Sequence, residues 1–158
     1  MTLDDLDLRI LNQLQQDSGL TNHELARRVH ASPPTCLRRV RRLVAQGVVQ
    51  RQVAILDPGR LGALLTAILE VTLNDQGAER LQAFEQAMDD VPQVQQCYRV
   101  SSGPDFVLVV HVADMAGYHA LTHRWLTAQH NVRNVRTFIV VNRSKFHTCL
   151  PLPKAQGR

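Results

Sequence analysis

Apolar residues near the start of the chain recur at Leu3, Leu6, Ile10, Leu11 and Leu14, a period near 3.6 that predicts an amphipathic helix capped by Asp4. Asp4, Asp5 and Asp7 fall in its first turn, where negative charge favours the helix dipole; that role is preferred to a carboxylate metal site. A second helix is predicted from Thr21 or Asn22, with Glu24 placed for a capping box and Leu25, Ala26 and Val29 on its apolar side. Ser32 and Pro33 then mark the start of a third. In it Cys36, Leu37, Val40, Leu43 and Val44 share one arc, while Thr35, Arg38 and Arg42 lie opposite with Arg39 and Arg41 on the flanks. Gly47 is placed to end this helix in a left-handed conformation. The turn between the last two helices puts His30 where a glycine is usual; φ > 0 there costs a histidine about 1 kcal/mol.

After Gly47 the pattern changes. Residues 48–56 read as an extended strand, broken by Asp57-Pro58-Gly59, and serve as a hinge. Residues 66–73, 94–100, 106–112 and 135–142 read as strands, and 78–90 and the segment capped by Asp114 as helices. The loop 101–105 joins two of the strands as a hairpin. The order βαββαβ predicts a ferredoxin-like sandwich with helices on one face of an antiparallel sheet; the bare second face is most simply covered by a second copy. The fold class is therefore α+β. A helix-turn-helix, winged-helix-like domain spans 1–48, a strand linker 49–62, a βαββαβ sensor and oligomerisation domain 63–144, and a tail 145–158.

Composition sharpens this. The chain has 158 residues, 44% hydrophobic, with a net charge of +4, all ordinary for a folded globular protein. The distribution says more: residues 1–60 carry nine Lys/Arg against six Asp/Glu, and 61–158 carry nine against eight. Within 21–47 there are six arginines and one glutamate, the asymmetry a polyanion partner requires. Arginine suits such work because its planar fork reaches guanine O6 and N7 and also binds phosphate. The N-terminal part of such a helix meets base edges and its later part the backbone. Thr35, Arg38 and Arg39 are the expected base-proximal contacts, with Arg41 and Arg42 nearer phosphate. Asn22, His23, Ser32, Pro33 and Pro34 complete the candidate DNA-binding set.

Other chemistries find less support. Cys36, Cys97 and Cys149 are far apart and odd in number, which fits a reducing cytosol. No signal peptide or long apolar run is present, so a cytoplasmic protein with no membrane partner is expected. His119 and His123 stand at i and i+4, and His147 and Cys149 two apart, without ligands to complete a metal site. There is no GxGxxG, P-loop or GxSxG, so neither an enzyme nor a cofactor is expected. The rival reading is a small-molecule-binding regulatory module whose basic helices do not bind DNA.

Three stretches resemble the leucine-responsive regulator (Lrp/AsnC) family. They are Leu6-Asp7-Leu8-Arg9-Ile10-Leu11-Asn12-Gln13-Leu14-Gln15, then Ala31-Ser32-Pro33-Pro34-Thr35-Cys36-Leu37-Arg38-Arg39-Val40-Arg41-Arg42-Leu43 with Gly47-Val48-Val49, and Cys97-Tyr98-Arg99-Val100-Ser101 leading to Asp105-Phe106. The resemblance implies a transcriptional regulator of double-stranded DNA with a palindromic-type operator. It also implies homodimers assembling to a higher oligomer, an octamer favoured, and an amino acid or related effector held between dimers. The effector residues it implies are Arg99, Ser101, Ser102, Gly103, Asp105, Met115, Phe138, Ile139 and Val140. In the hairpin, Ser102, Gly103, Pro104 and Asp105 stand where the family runs glycine, acid, variable residue, aspartate. Loop amides suit a carboxylate, an acid suits an ammonium, and apolar walls select the side chain.

Overall fold

A computed structural model describes residues 2–62 and 64–153; Ala63, expected to open the sensor domain, and tail residues 154–158 lie outside the described residues. The chain forms two compact units. One runs to Ile55 and includes the described residues from Lys145 on; the other is Leu56–Ser144.

In the first unit α1 is Asp5–Gln16, α2 is Asn22–Arg28 and α3 is Pro33–Ala45. Both expected caps on α1 and α2 form. Asp4 accepts the Asp7 N–H at 2.9 Å while Asp7 accepts the Asp4 N–H at 3.2 Å, a complete capping box. Thr21 and Glu24 repeat the arrangement on α2. Ser32 stands at the N-cap of α3, but its hydroxyl bonds Thr35 Oγ1 at 2.9 Å and no backbone N–H. Pro34 makes this tolerable, since of the two amides a cap side chain serves, at N2 and N3, the first is absent. His30 takes φ 53°, as the turn requires. Gly47 takes φ 71°, with the Val48 N–H on Leu43 O and its own on Val44 O, a Schellman ending. Ile10, Leu11, Leu25, Ala26, Val29, Cys36 and Leu43 form the small core.

One feature of this unit departs from the sequence reading. Residues 48–56 form no strand and are largely exposed, because among the described residues no neighbouring strand accepts their hydrogen bonds. The tail segment is held to α1: Gln15 brackets Leu150, its Nε2 donating to Leu150 O at 3.2 Å and its Oε1 accepting the Leu150 N–H at 2.6 Å. Leu152 packs against the same core.

In the second unit β1 (Leu65–Leu73), α4 (Ala78–Asp89), β2 (Val94–Arg99), β3 (Phe106–Val112), α5 (Met115–Trp125) and β4 (Val132–Ile139) follow the expected βαββαβ order. The sheet order is β2-β3-β1-β4, every pair antiparallel. β4 begins and ends three residues before the expected 135–142, because Val132, buried, pairs with Leu73 while Val141 stands in solvent. Strict alternation sorts the sheet. Ala67, Leu69, Val71, Leu73, Phe106, Leu108, Val110 and Val112 face Phe84, Met88 and Leu121 of the helices. The register puts Ile68, Val107, Val109 and Phe138 together on the other face, where Ile68 and Phe138 are exposed. The expected bare face is there.

Candidate nucleic-acid interface and effector cleft

The arginines of α3 divide into two kinds. Arg38 and Arg41 are exposed, and no ion pair binds either among the described residues. Arg39 and Arg42 turn toward α1. Arg39 pairs with Asp4 and, at 3.2 Å, with Asp7, while Arg42 pairs with the other oxygen of Asp7. The Asp7 side chain is 1% exposed, so this is a carboxylate buried under two guanidinium groups. Burial of an unpaired carboxylate would cost several kcal/mol, and the two arginines remove that cost. The Asp7 N–H first, and then Arg39, hold the Asp4 carboxyl below its usual range. The Asp4 carboxylate in turn raises the pKa of Arg39. The guanidinium meets both acids through Nη1, and its buried Nε has no hydrogen-bond partner among the described residues.

The inward pairing sets Arg39 apart from the base-proximal arc expected of it, whereas Arg42 stays exposed on its outward arc and reaches Asp7 from there. Asp7, read from sequence as a dipole residue, was missed as their anchor. A signal was present: Arg39 lies four residues from the sealed Leu43, only about 40° around the helix, and a charge so near the core needs a partner. Among the other candidates, the Asn22 amide is spent on Pro33 O at 2.9 Å, tying α2 to the start of α3. His23, Ser32 and Pro34 are exposed; Pro33 and Thr35 are half-buried. Leu37 and Val44, expected in the core, are 38% and 49% exposed. The buried arc centres instead on Cys36 and Leu43.

The nine effector candidates do not meet within the single chain. Asp105 N–H reaches Val71 O, and Val140 N–H reaches Thr66 O, near opposite ends of β1. Thr66 and Val71 are five residues apart, roughly 17 Å of strand. Ser101, Ser102 and Gly103 are exposed beside Asp105, and Gly103 supplies the loop's positive φ of 87°. Phe138, Ile139 and Val140 belong to the other end, and Met115 opens α5 just after the strand end that pairs there. Asp105 is also not a free acid: its carboxylate accepts the Leu73 N–H at 2.7 Å and Gln76 Nε2 at 3.3 Å. It fixes the end of β1. Arg99 lies on the helix-covered side and pairs with Glu85 at 2.7 Å.

The histidines His119 and His123 are exposed, and no group of three potential metal ligands occurs among the described residues. Burial, with Glu85 and Asp89 nearby, pushes the Cys97 thiol up to about 11, so it is no thiolate nucleophile at neutral pH. No helix among the described residues is long and apolar enough to cross a membrane.

A three-helix head with a guanidinium-bearing third helix, joined to a βαββαβ unit, defines a helix-turn-helix regulator with a separate sensor domain. Residues 3–50 match the family model for winged helix-turn-helix DNA-binding and residues 66–150 that for the Lrp/AsnC ligand binding domain. The chain is 38% identical over 143 residues to the leucine-responsive regulatory protein of Escherichia coli K12, covering 90% of this chain and 87% of that one. An AsnC family transcriptional regulator from Agrobacterium tumefaciens superposes with TM-score 0.86 at 34% identity, over 94% of this chain and 97% of its own. A transcriptional regulator from Neisseria meningitidis in complex with L-Met gives TM-score 0.86 at 31% identity, over 95% and 97%. The chain belongs to the Lrp/AsnC family. It is a DNA-binding transcriptional regulator and not an enzyme.

Proposed function

We propose that this regulator acts as a homodimer, joined through the bare sheet face, that sets two copies of α3 in the major groove of a palindromic-type operator. The observation that carries the reading is the pairing of an α3 with outward Arg38 and Arg41 and a sheet whose Ile68 and Phe138 stand exposed beside Val107 and Val109. An apolar face of this kind is closed by self-association, and a two-fold axis through it duplicates the head. Arg38 meets base edges and Arg41 phosphate; Thr35, Pro34, Ser32 and His23 border the contact. Further association of dimers, with an octamer as the favoured form, and a cytoplasmic location follow the family resemblance.

The effector is an amino acid or a close relative, in a cleft completed by a neighbouring protomer. The two groups of candidate residues at opposite ends of β1 support this, since an assembly can bring one protomer's hairpin loop to another's Phe138–Val140 end, whereas one protomer cannot. The L-Met bound to the Neisseria relative supports the ligand class. Exposed loop amides at 101–103 are the carboxylate-binding groups, and Asp105 holds their loop in place. Effector binding shifts DNA affinity by favouring one assembly, through linkage.

Phe138→Glu places a charge on the sheet face, where Arg136 lies 4.8 Å from the ring and gives the new carboxylate a partner in the monomer. Sedimentation should then show a monomer, with operator affinity lower by about a hundredfold as two-headed binding is lost. A variant with the parent's mass and affinity would refute the interface. Thermal melting against a panel of L-amino acids tests the effector. One or more should raise the midpoint, by mass action on the folded assembly; no shift with any of them would refute the ligand class.

A further inference from the structure

We infer that Leu37 is a specificity-determining residue of the reading helix, recognising a thymine methyl group in the operator. The inference rests on the DNA-binding reading and adds a contact to it. Leu37 has the helical spacing of a core residue, and its neighbours in sequence show what burial there looks like: Cys36 and Leu43 are fully sealed, while Leu37 is 38% exposed. A single exposed leucine is ordinary on a protein surface. This one stands in the N-terminal half of α3, the half that faces base edges in such motifs.

Its surroundings on the helix decide the chemistry. Leu37 is four residues from Arg41, about 40° around the helix, and three from Pro34, about 60°. Arg38 follows directly. These four form one outward strip, while Arg39 and Arg42, on the far side of Arg38, are held by Asp4 and Asp7. Arginine donates only, so Arg38 reads acceptors and favours guanine O6 and N7. The strip has one flexible apolar group, and the major-groove feature that such a group distinguishes is the C5-methyl of thymine. Val44, also exposed, lies two turns further on, in the part of the helix that tracks the backbone. Leu37 and Arg38 together would select thymine beside guanine, a preference that arginine alone does not give.

The test uses the full-length protein and an operator selected from a randomised duplex pool. Each thymine in the selected site is replaced by uracil, which removes the methyl group and leaves base pairing intact. Dissociation constants are measured for the parent and for Leu37→Ala, whose folding is checked by melting. For the parent, uracil at one thymine of a single half-site should weaken binding about fourfold, the burial of one methyl group, and at the matching thymine of both half-sites about fifteenfold. Leu37→Ala should bind the thymine operator more weakly and lose nothing further on that uracil substitution. Equal losses on thymine and uracil operators, as for a leucine that packs on another protein surface, would overturn the inference. So would a parent insensitive to every thymine methyl, or a Leu37→Ala that binds as the parent does. A pool from which no duplex is enriched would instead overturn the DNA-binding reading itself, a separate and recognisable failure.

Discussion

Replacing Asp7 with alanine is expected to destabilise the reading head by about 2–3 kcal/mol, measured by denaturant or thermal unfolding. The Asp7 side chain is 1% exposed and bridges Arg39 and Arg42, so its removal strands two cations that were packed against it. A fully buried pair broken on one side costs about 3–5 kcal/mol; here the Arg42 side chain is already 42% exposed and water can take up its charge, which reduces the cost. Arg39 has less relief, because its side chain is only 20% exposed and its Nε already lacks a partner among the described residues. Asp7→Asn, which keeps the shape and removes the charge, should lose most of the same stability. A double-mutant cycle of Asp7→Asn with Arg39→Met should show coupling well above the scatter of independent sites. Asp4 adds a pH dependence of defined sign. Its folded pKa is lowered, so its contribution is present above the ordinary carboxylate value and is lost as pH falls through the lowered folded value. Acid unfolding of Asp4→Asn should therefore be less steep than that of the parent. An Asp7→Asn protein that melts with the parent would show that the clamp does not hold α3 to α1.

Arg38→Ala is expected to weaken operator binding by about 1–3 kcal/mol per half-site and to relax preference at one base position, with melting unchanged. Arg38 is exposed and makes no ion pair among the described residues, so nothing in the fold depends on it. Arg39→Ala should do the reverse. It removes a partner of Asp7, lowers the melting midpoint, and weakens binding to all sequences alike. Profiles of binding across single-base operator variants distinguish the two. A relaxed position in Arg39→Ala with an unaltered profile in Arg38→Ala would exchange their roles.

Much of the fold was legible in the sequence, because its signals are local. The capping pairs Asp4/Asp7 and Thr21/Glu24, the left-handed His30 and Gly47, and the β-type apolar runs at 66–73 and 106–112 each specify backbone within a few residues. What escaped depends on residues far apart in the chain. Arg39 and Arg42 find carboxylates 35 positions away, and Gln15 finds Leu150 across 135; no periodicity encodes either. The helical wheel of α3 was tilted for the same reason. Counting only apolar residues placed Leu37 and Val44 inside and Arg39 outside, whereas Asp7 makes the Arg39 side the inward one. The strand expected at 48–56 has β-type residues but no partner strand among the described residues, and propensity alone does not make a strand. The effector residues came through resemblance, and their separation along β1 follows from strand register, which a linear reading does not supply.

If the outward guanidinium groups of α3 grip the phosphates and bases of duplex DNA, operator binding must depend steeply on salt. Association constants are measured over a range of salt concentrations for the parent and for Arg41→Ala. Each phosphate contact contributes about 0.9 to the downward slope of log K against log salt. A steep slope is expected for the parent, and for Arg41→Ala one shallower by about two, since a dimer carries the arginine twice. An association constant indifferent to salt, or a slope that Arg41→Ala leaves unchanged, would contradict it.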